Sequence, residues 1–256
     1  MRREWRLTCS VDASKQTILR RLAERGIKAR RPRKKPLLTR NMRQKRLEWA
    51  KRHRHWTEED WRRVIFSDES KFNLHGSDGR NYVFRRDGEA YHPDCVKNTV
   101  KHPLSQMVWG CITSEGVGRL HFVNGTVNQN AYIDILELSL RGTISDQFGD
   151  TRSVIFQDDS APCHRAAKVT EYKARLGIQS LEWPGNSPDL NPIENLWKLI
   201  GVKVSKNKPT NQRQLREAII KAWHHDIESG HVKSLIDSMP QRCEAVIKAR
   251  GGPTKY

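Results

Sequence analysis

In the first fifth of the chain, apolar residues come singly at helical spacing; beyond residue 57 they gather into short runs. In "SKQTILRRLAERG" (14–26), Ile18, Leu19 and Leu22 share one helical face with Ala23 beside them. Ser14 is placed to cap this helix and Gly26 to stop it. "ARRPRKKP" (29–36), broken by Pro32 and Pro36, reads as an extended arm. Residues 40–55 return to helical spacing with Leu47, Trp49 and Ala50 as packing positions, and "TEEDW" (57–61) looks like a capped helix start with three acids.

The later runs read as strands: "RVIFSD" (63–68), "NYVFRR" (81–86), "QMVWGCIT" (106–113), "GRLHFVNG" (118–125), "SVIFQDD" (153–159) and "SLEWP" (180–184). Residues 128–140, 161–177, 211–228 and 232–250 read as helices, and 186–204 as a Pro-rich loop running into one. Early hairpins followed by alternating strands and helices predict an α/β fold, a mixed sheet with helices packed over it. The expected boundary separates a basic helical region, 1–56, from a sheet-bearing domain, 57–256.

Composition narrows the class. Only 36% of the 256 residues are hydrophobic, yet eight are Trp, which fits a folded core with polar extensions. No apolar run approaches the roughly 20 residues of a membrane span, and "MRREWRLTCS" lacks the apolar stretch of a secretory signal. Cys9, Cys95, Cys111, Cys163 and Cys243 form no CxxC pair, so reduced thiols are expected.

The net charge of +18 is concentrated. Residues 1–63 hold 22 Lys and Arg against 7 Asp and Glu, a net +15, which suits a polyanion partner. Lys15, Gln16, Thr17, Arg20 and Arg21 lie at the start or on the polar side of a short helix that suits a DNA major groove. Arg31, Arg33, Lys34 and Lys35 in the arm suit backbone phosphates or a minor groove. The arm also has the composition of a nuclear import signal, so the nucleus is the expected location.

Three carboxylates fall at predicted element ends: Asp68 closing the first strand, Asp159 closing a later one, and Glu194 just after Pro192 at a helix start. Carboxylate oxygens are the hard ligands that Mg²⁺ prefers, and Mn²⁺ can substitute. Two such ions about 3.5–4 Å apart activate a nucleophile and stabilise the leaving oxygen in phosphoryl transfer. Asp189 is read as a cap for the Glu194 helix ahead of a fourth acid at the site, and His164 as a structural or DNA-backbone residue ahead of a metal ligand.

The words around these acids, "SDES", "FQDDSAPCH" and "EWPGNSPDLNPIENLW", resemble the mariner superfamily of cut-and-paste DNA transposases. The matching branch has 34 residues between its second Asp and its Glu, as there are here between Asp159 and Glu194. The likeness runs from about residue 14 to the C-terminus, and "SPDLNPIENLW" (187–197) is its most specific piece. It implies a ribonuclease-H-like fold in which Asp68, Asp159 and Glu194 are catalytic metal ligands. It also implies cleavage at transposon ends, strand transfer into target DNA, and a homodimer or larger assembly on double-stranded DNA.

Two acids compete for one role. The family pattern is an Asp, usually followed by Asn, then a small or acidic residue, Pro, a variable residue and His. Laid on this chain it selects Asp159, with Ser160 in the Asn place and His164 matching the His. An internal echo, "VIFSD" (64–68) with "VIFQD" (154–158), selects Asp158 instead. Ser160 is expected to weaken activity by removing an amide donor. Family members carry two helix-turn-helix units, and this chain is expected to begin inside the second. A truncated copy leaves an alternative, an inactive or repurposed host DNA-binding protein.

Overall fold

The computed structural model describes residues 14–29, 35–74, 85–96, 104–149 and 154–256. Arg31, Arg33 and Lys34, and most of the expected strand 81–86, lie outside the described residues. The chain divides into two compact units, Met1–Pro36 and Leu37–Tyr256.

In the first unit, helix α1 (Lys15–Glu24) is capped by Ser14, whose Oγ accepts the Thr17 N–H at 3.1 Å. Ile18 is buried while Leu19 is 43% exposed, so the apolar face is narrower than its pattern. Lys15, Gln16, Arg20 and Arg21 are exposed, and Thr17 is half-buried.

The second unit starts earlier than the boundary expected near residue 56. Helix α2 (Arg40–Arg52) belongs to it, because Trp49 and Ala50 are buried in the same core as Trp61. Trp49 and Trp56 each pack a ring against Trp61, at 5.9 and 4.7 Å between centroids, and such aromatic contacts bury much area at once. Helix α3 (Glu58–Arg62) has the expected cap: Thr57 and Asp60 satisfy each other's backbone N–H groups reciprocally.

One mixed sheet follows. Its strands are β1 (Val64–Asn73), β2 (Ser105–Thr113), β3 (Gly116–Val117), β4 (His121–Val123), β5 (Ile155–Gln157) and β6 (Gln179–Ser180). The order is β3-β2-β1-β5-β6, with β4 also on β2; β1 runs antiparallel to β2 and parallel to β5. Side chains alternate across it. Val64, Phe66, Val108 and Ile112 enter one core, beneath α2, α3 and the C-terminal helices α7 (Ile193–Lys206), α8 (Gln212–His224), α9 (Ser229–Asp237) and α10 (Met239–Lys248). Ile65, Trp109, Cys111 and Phe156 enter the other. That second core is covered by α4 (Gln129–Ile135), a π turn (Leu136–Leu140), α5 (Arg141–Gln147) and α6 (Ala167–Arg175). Gly110 lets α7 and α8 approach closely, since a Cβ there would meet Trp223 at 2.8 Å and Trp197 at 2.9 Å.

Several expected elements differ. The strand expected to close at Asp68 runs on to Asn73, because its antiparallel ladder with β2 continues through Phe72↔Gln106 after the parallel ladder with β5 has stopped. Of the expected strand 118–125 only His121–Val123 forms, as β4, and β3 lies ahead of it at Gly116–Val117. Helix 161–177 begins only at Ala167, since Asp159 and Pro162 shape a turn ahead of it. Helix 232–250 is two helices: Pro240 lacks an N–H and its ring clashes with the carbonyl four residues back.

Candidate active site

Asp68 sits in mid-strand opposite Gly110, past the point where β5 leaves β1. It has the parity of Val64 and Phe66, so it faces the layer that carries α7. Glu194 lies in the first turn of α7. The parallel pairing of β1 with β5 stops before Asp68. Val64 aligns with Ile155 and Phe66 with Gln157, the last pair of that ladder, so Asp158 and Asp159 both follow its end. The echo between the two "VIF" words is out of step with this pairing by one residue.

The two adjacent aspartates have different surroundings. Asp158 is 9% exposed, accepts the Tyr132 hydroxyl at 2.8 Å and is ion-paired with Lys173. Lys173 is itself buried and lies 5.3 Å from the Phe156 ring centroid. The Asp159 side chain is half exposed. The Ala161 N–H donates to its Oδ1 at 2.8 Å, and His164 Nδ1 lies 2.7 Å from the same oxygen. Both of these partners grip Oδ1 and neither engages Oδ2. The strand ends at Gln157, so both acids stand in the loop beyond it, where strand alternation no longer dictates their directions.

His164 is more than the structural or DNA-backbone residue expected. It is buried, stacks on Tyr132 with ring centroids 3.8 Å apart, and its Nε2 lies 3.3 Å from Glu69 Oε1. Both acid contacts are ion-pair contacts off the hydrogen-bond line. Burial pushes the imidazole down, but Asp159 and Glu69, with Asp158 behind them, raise it to about 10, so it carries a positive charge at neutral pH. Sequence reasoning does not single out Glu69 within "SDES"; its adjacency to Asp68 is the available signal.

The acids act on one another. Burial pushes the Asp68 carboxyl well above the usual range, and the charges of Glu194, Glu69 and Asp159 push it the same way. Burial also raises Glu194, with Lys198 opposing. At Asp159 burial is outweighed by His164, the Ala161 N–H and Arg165, and the carboxyl lies below its ordinary value. Thus Asp68, Asp159 and Glu194 share an electrostatic neighbourhood. As they stand, however, no three His, Cys, Asp or Glu among the described residues are close enough together to hold a metal ion.

Asp189 corrects an expectation. It does not cap the Glu194 helix: it takes a bidentate pair from Arg46, 2.9 and 2.8 Å, and accepts the Thr254 N–H and hydroxyl. Asn191 serves the helix start instead, its Oδ1 accepting the Ile193 N–H at 3.3 Å. Ser160, in the place of the expected amide, donates its hydroxyl to Trp183 O at 3.0 Å. A cleft of about 770 Å³ borders Asp159 and Ser160 and includes Lys45, Arg52, Arg165 and Trp183 in its walls; Asp68 and Glu194 do not line it.

Comparison with known proteins gives concordant results. A family profile described as a DDE superfamily endonuclease matches residues 63–216, and a transposase profile of the Tc3 helix-turn-helix kind matches residues 2–55. The Tcb1 transposable-element transposase of Caenorhabditis briggsae is 42% identical over 244 residues, covering 95% of this chain and 88% of that protein. The Tc1 transposase of Caenorhabditis elegans is 40% identical with the same coverage. Among solved structures, the Mos1 transposase paired-end complex with left transposon end has a TM-score of 0.84 at 19% identity, covering 98% of this chain and 75% of that one. The mariner Mos1 paired-end complex with Mg has a TM-score of 0.82, also at 19% identity and with the same coverage. These two show a shared fold.

Proposed function

The chain belongs to the Tc1/mariner superfamily of DNA transposases, and from that premise we propose that Asp68, Asp159 and Glu194 are its catalytic acids and hold divalent cations, Mg²⁺ with Mn²⁺ able to substitute. The observation that carries this reading is the field at Asp68, a carboxyl raised by burial and then by Glu194, Glu69 and Asp159. Like charges gathered in a poorly solvated place oppose folding unless positive charge joins them. Among the described residues, His164 is in ion-pair contact with Asp159 and Glu69, the charge of Lys198 acts on Glu194, and Asp68 has no ion pair.

The residues fit a hard cation. They offer oxygen donors, and His164 and the Ala161 N–H both meet Asp159 at Oδ1. A bound divalent ion lowers the pKa of an attacking hydroxyl and offsets charge on the reacting phosphate. The chain's own part is positional. Asp68 is fixed in a strand paired on its β2 side, Asp159 follows a strand end, and Glu194 rides the first turn of α7.

The substrate reading follows the charge. Lys15, Gln16, Thr17, Arg20 and Arg21 of α1 contact the transposon's terminal inverted repeats, and Arg31, Arg33, Lys34 and Lys35 track the backbone. The protein acts as a homodimer or larger assembly on paired ends, cutting there and joining the freed 3′ end to target DNA. It works in the nucleus, to which the basic arm directs it; a fluorescent fusion with Arg33, Lys34 and Lys35 changed to Ala should lose nuclear accumulation.

The direct test is nicking of a supercoiled plasmid bearing the terminal repeats. Cutting should need Mg²⁺ or Mn²⁺, stop in chelator and disappear in Asp159→Ala. Unchanged cutting by Asp159→Ala, or cutting in chelator, would refute the assignment.

A further inference from the structure

We propose that Ser67, Gln157 and Asn191 are positioning residues, a buried hydrogen-bonded bracket that sets the spacing of the three acids. The inference rests on the reading of Asp68, Asp159 and Glu194 as cation ligands. Each member of the bracket stands just behind one of them in the chain: Ser67 precedes Asp68, Gln157 is two residues before Asp159, and Asn191 is three before Glu194.

The contacts join all three segments. The Ser67 N–H donates to Gln157 Oε1 at 3.2 Å, and Ser67 Oγ donates to the Gln157 carbonyl at 2.9 Å. Asn191 Nδ2 donates to the Ser67 carbonyl at 3.0 Å, while Asn191 Oδ1 accepts the Ile193 N–H. The three residues are 2%, 0% and 5% exposed. Beyond Phe66↔Gln157 the parallel ladder stops, and the Gln157 side chain takes the next N–H that the ladder leaves open. The loop before Glu194 has no strand of its own, so Asn191 is a direct polar tie from it to β1.

Nothing in the packing requires polar residues here, since the same strands fill their neighbouring inward positions with Ile65, Phe66 and Phe156. The arrangement even leaves Gln157 Nε2 buried without a partner among the described residues, a cost that an apolar side chain would not carry. Apolar side chains would fill the space but would not fix the distance between segments. Hydrogen bonds are directional, and ligand placement has to hold within about 0.5 Å for a productive site. Partners behind metal ligands have this effect elsewhere, changing metal affinity when removed.

The test is Mn²⁺ binding to the full chain without DNA, read from the electron paramagnetic resonance signal of free Mn²⁺. Wild type, Asp159→Ala, Asn191→Ala and Ser67→Ala are compared, with Val246→Ala as a control destabilised at a core site outside the bracket. Thermal melting without metal is recorded for each. Asn191→Ala should weaken Mn²⁺ binding about tenfold or more. Ser67→Ala should weaken it less but in the same direction, and Val246→Ala should leave it unchanged at temperatures where it is folded. Wild-type binding in folded Asn191→Ala and Ser67→Ala overturns the bracket while leaving the ligand assignment intact. If Asn191→Ala does not fold, Ser67→Ala, which removes one oxygen, decides alone. Equal binding by wild type and Asp159→Ala overturns the ligand assignment itself, and the bracket with it.

Discussion

At Asp158 the carboxylate meets the Tyr132 hydroxyl and the buried Lys173 ammonium, and that environment decides what each aspartate of the pair can do. Removing Asp158 strands a buried cation. Asp158→Ala should therefore cost about 3–5 kcal/mol by denaturant unfolding, as breaking one partner of a buried pair does. Asp159→Ala leaves the buried His164 its contact with Glu69, so it should cost less stability than Asp158→Ala while abolishing cleavage. Wild-type stability in Asp158→Ala would contradict the structural role given to it. Asp68 makes the complementary case. Its charge is opposed by Glu194, Glu69 and Asp159, so Asp68→Asn should raise the melting temperature of the metal-free protein at neutral pH while removing activity; a lower melting temperature would count against the crowding of charge. The choice between the two aspartates is legible in the sequence only in part. A repeated "VIF" word carries no information about how two parallel strands align, and that alignment is set by pairing across the sheet.

Elements are legible according to how local their causes are. The capped starts at Ser14 and Thr57 and the loop from 186 into α7 can be read because a cap and its helix are neighbours in sequence. The end of β1 cannot, since its length is fixed by β2, some forty residues away. The pairing of Arg46 with Asp189 spans 143 residues and leaves no periodic trace. Yet it ties α2 to the loop before Glu194 and to the C-terminal segment, where Arg46 also donates to Gly251 O and Gly252 O. Burial pushes the Asp189 carboxyl up, but Arg46 and the Thr254 donors outweigh it and hold it below its ordinary value. Its contribution to stability is therefore complete above an unfolded pKa of about 4 and is lost as pH falls through the lower folded value. Asp189→Asn should lower stability near pH 7 and flatten the decline in acid; an acid limb as steep as wild type would contradict this. Gly251 adds a steric check on the same region. Its φ is +78°, and a Cβ there would meet Arg43 O at 1.9 Å, so Gly251→Ala should destabilise by about 2 kcal/mol or more in the same unfolding assay.

Across the whole molecule, a strongly basic start precedes a body built around clustered acids. That division is plain from charge counts alone, because net charge is a sum and needs no fold. Where the boundary falls is not plain: α2 is as basic as the arm before it, and its buried Arg46, Trp49 and Ala50 assign it to the larger unit. If α1 meets phosphates, changing Lys15, Arg20 and Arg21 to Ala should weaken DNA binding. It should also flatten the dependence on log salt by about 0.9 for each phosphate no longer neutralised. An unchanged slope would remove α1 from the interface. The central claim, that three acids far apart in the chain hold cations together, is met most directly by a crystal of the protein soaked in Mn²⁺ and measured at the metal's absorption edge. Anomalous peaks about 2.0–2.2 Å from carboxylate oxygens of Asp68, Asp159 and Glu194 are predicted. Peaks confined to other residues, or none within reach of Asp68 and Asp159 at saturating Mn²⁺, would contradict it.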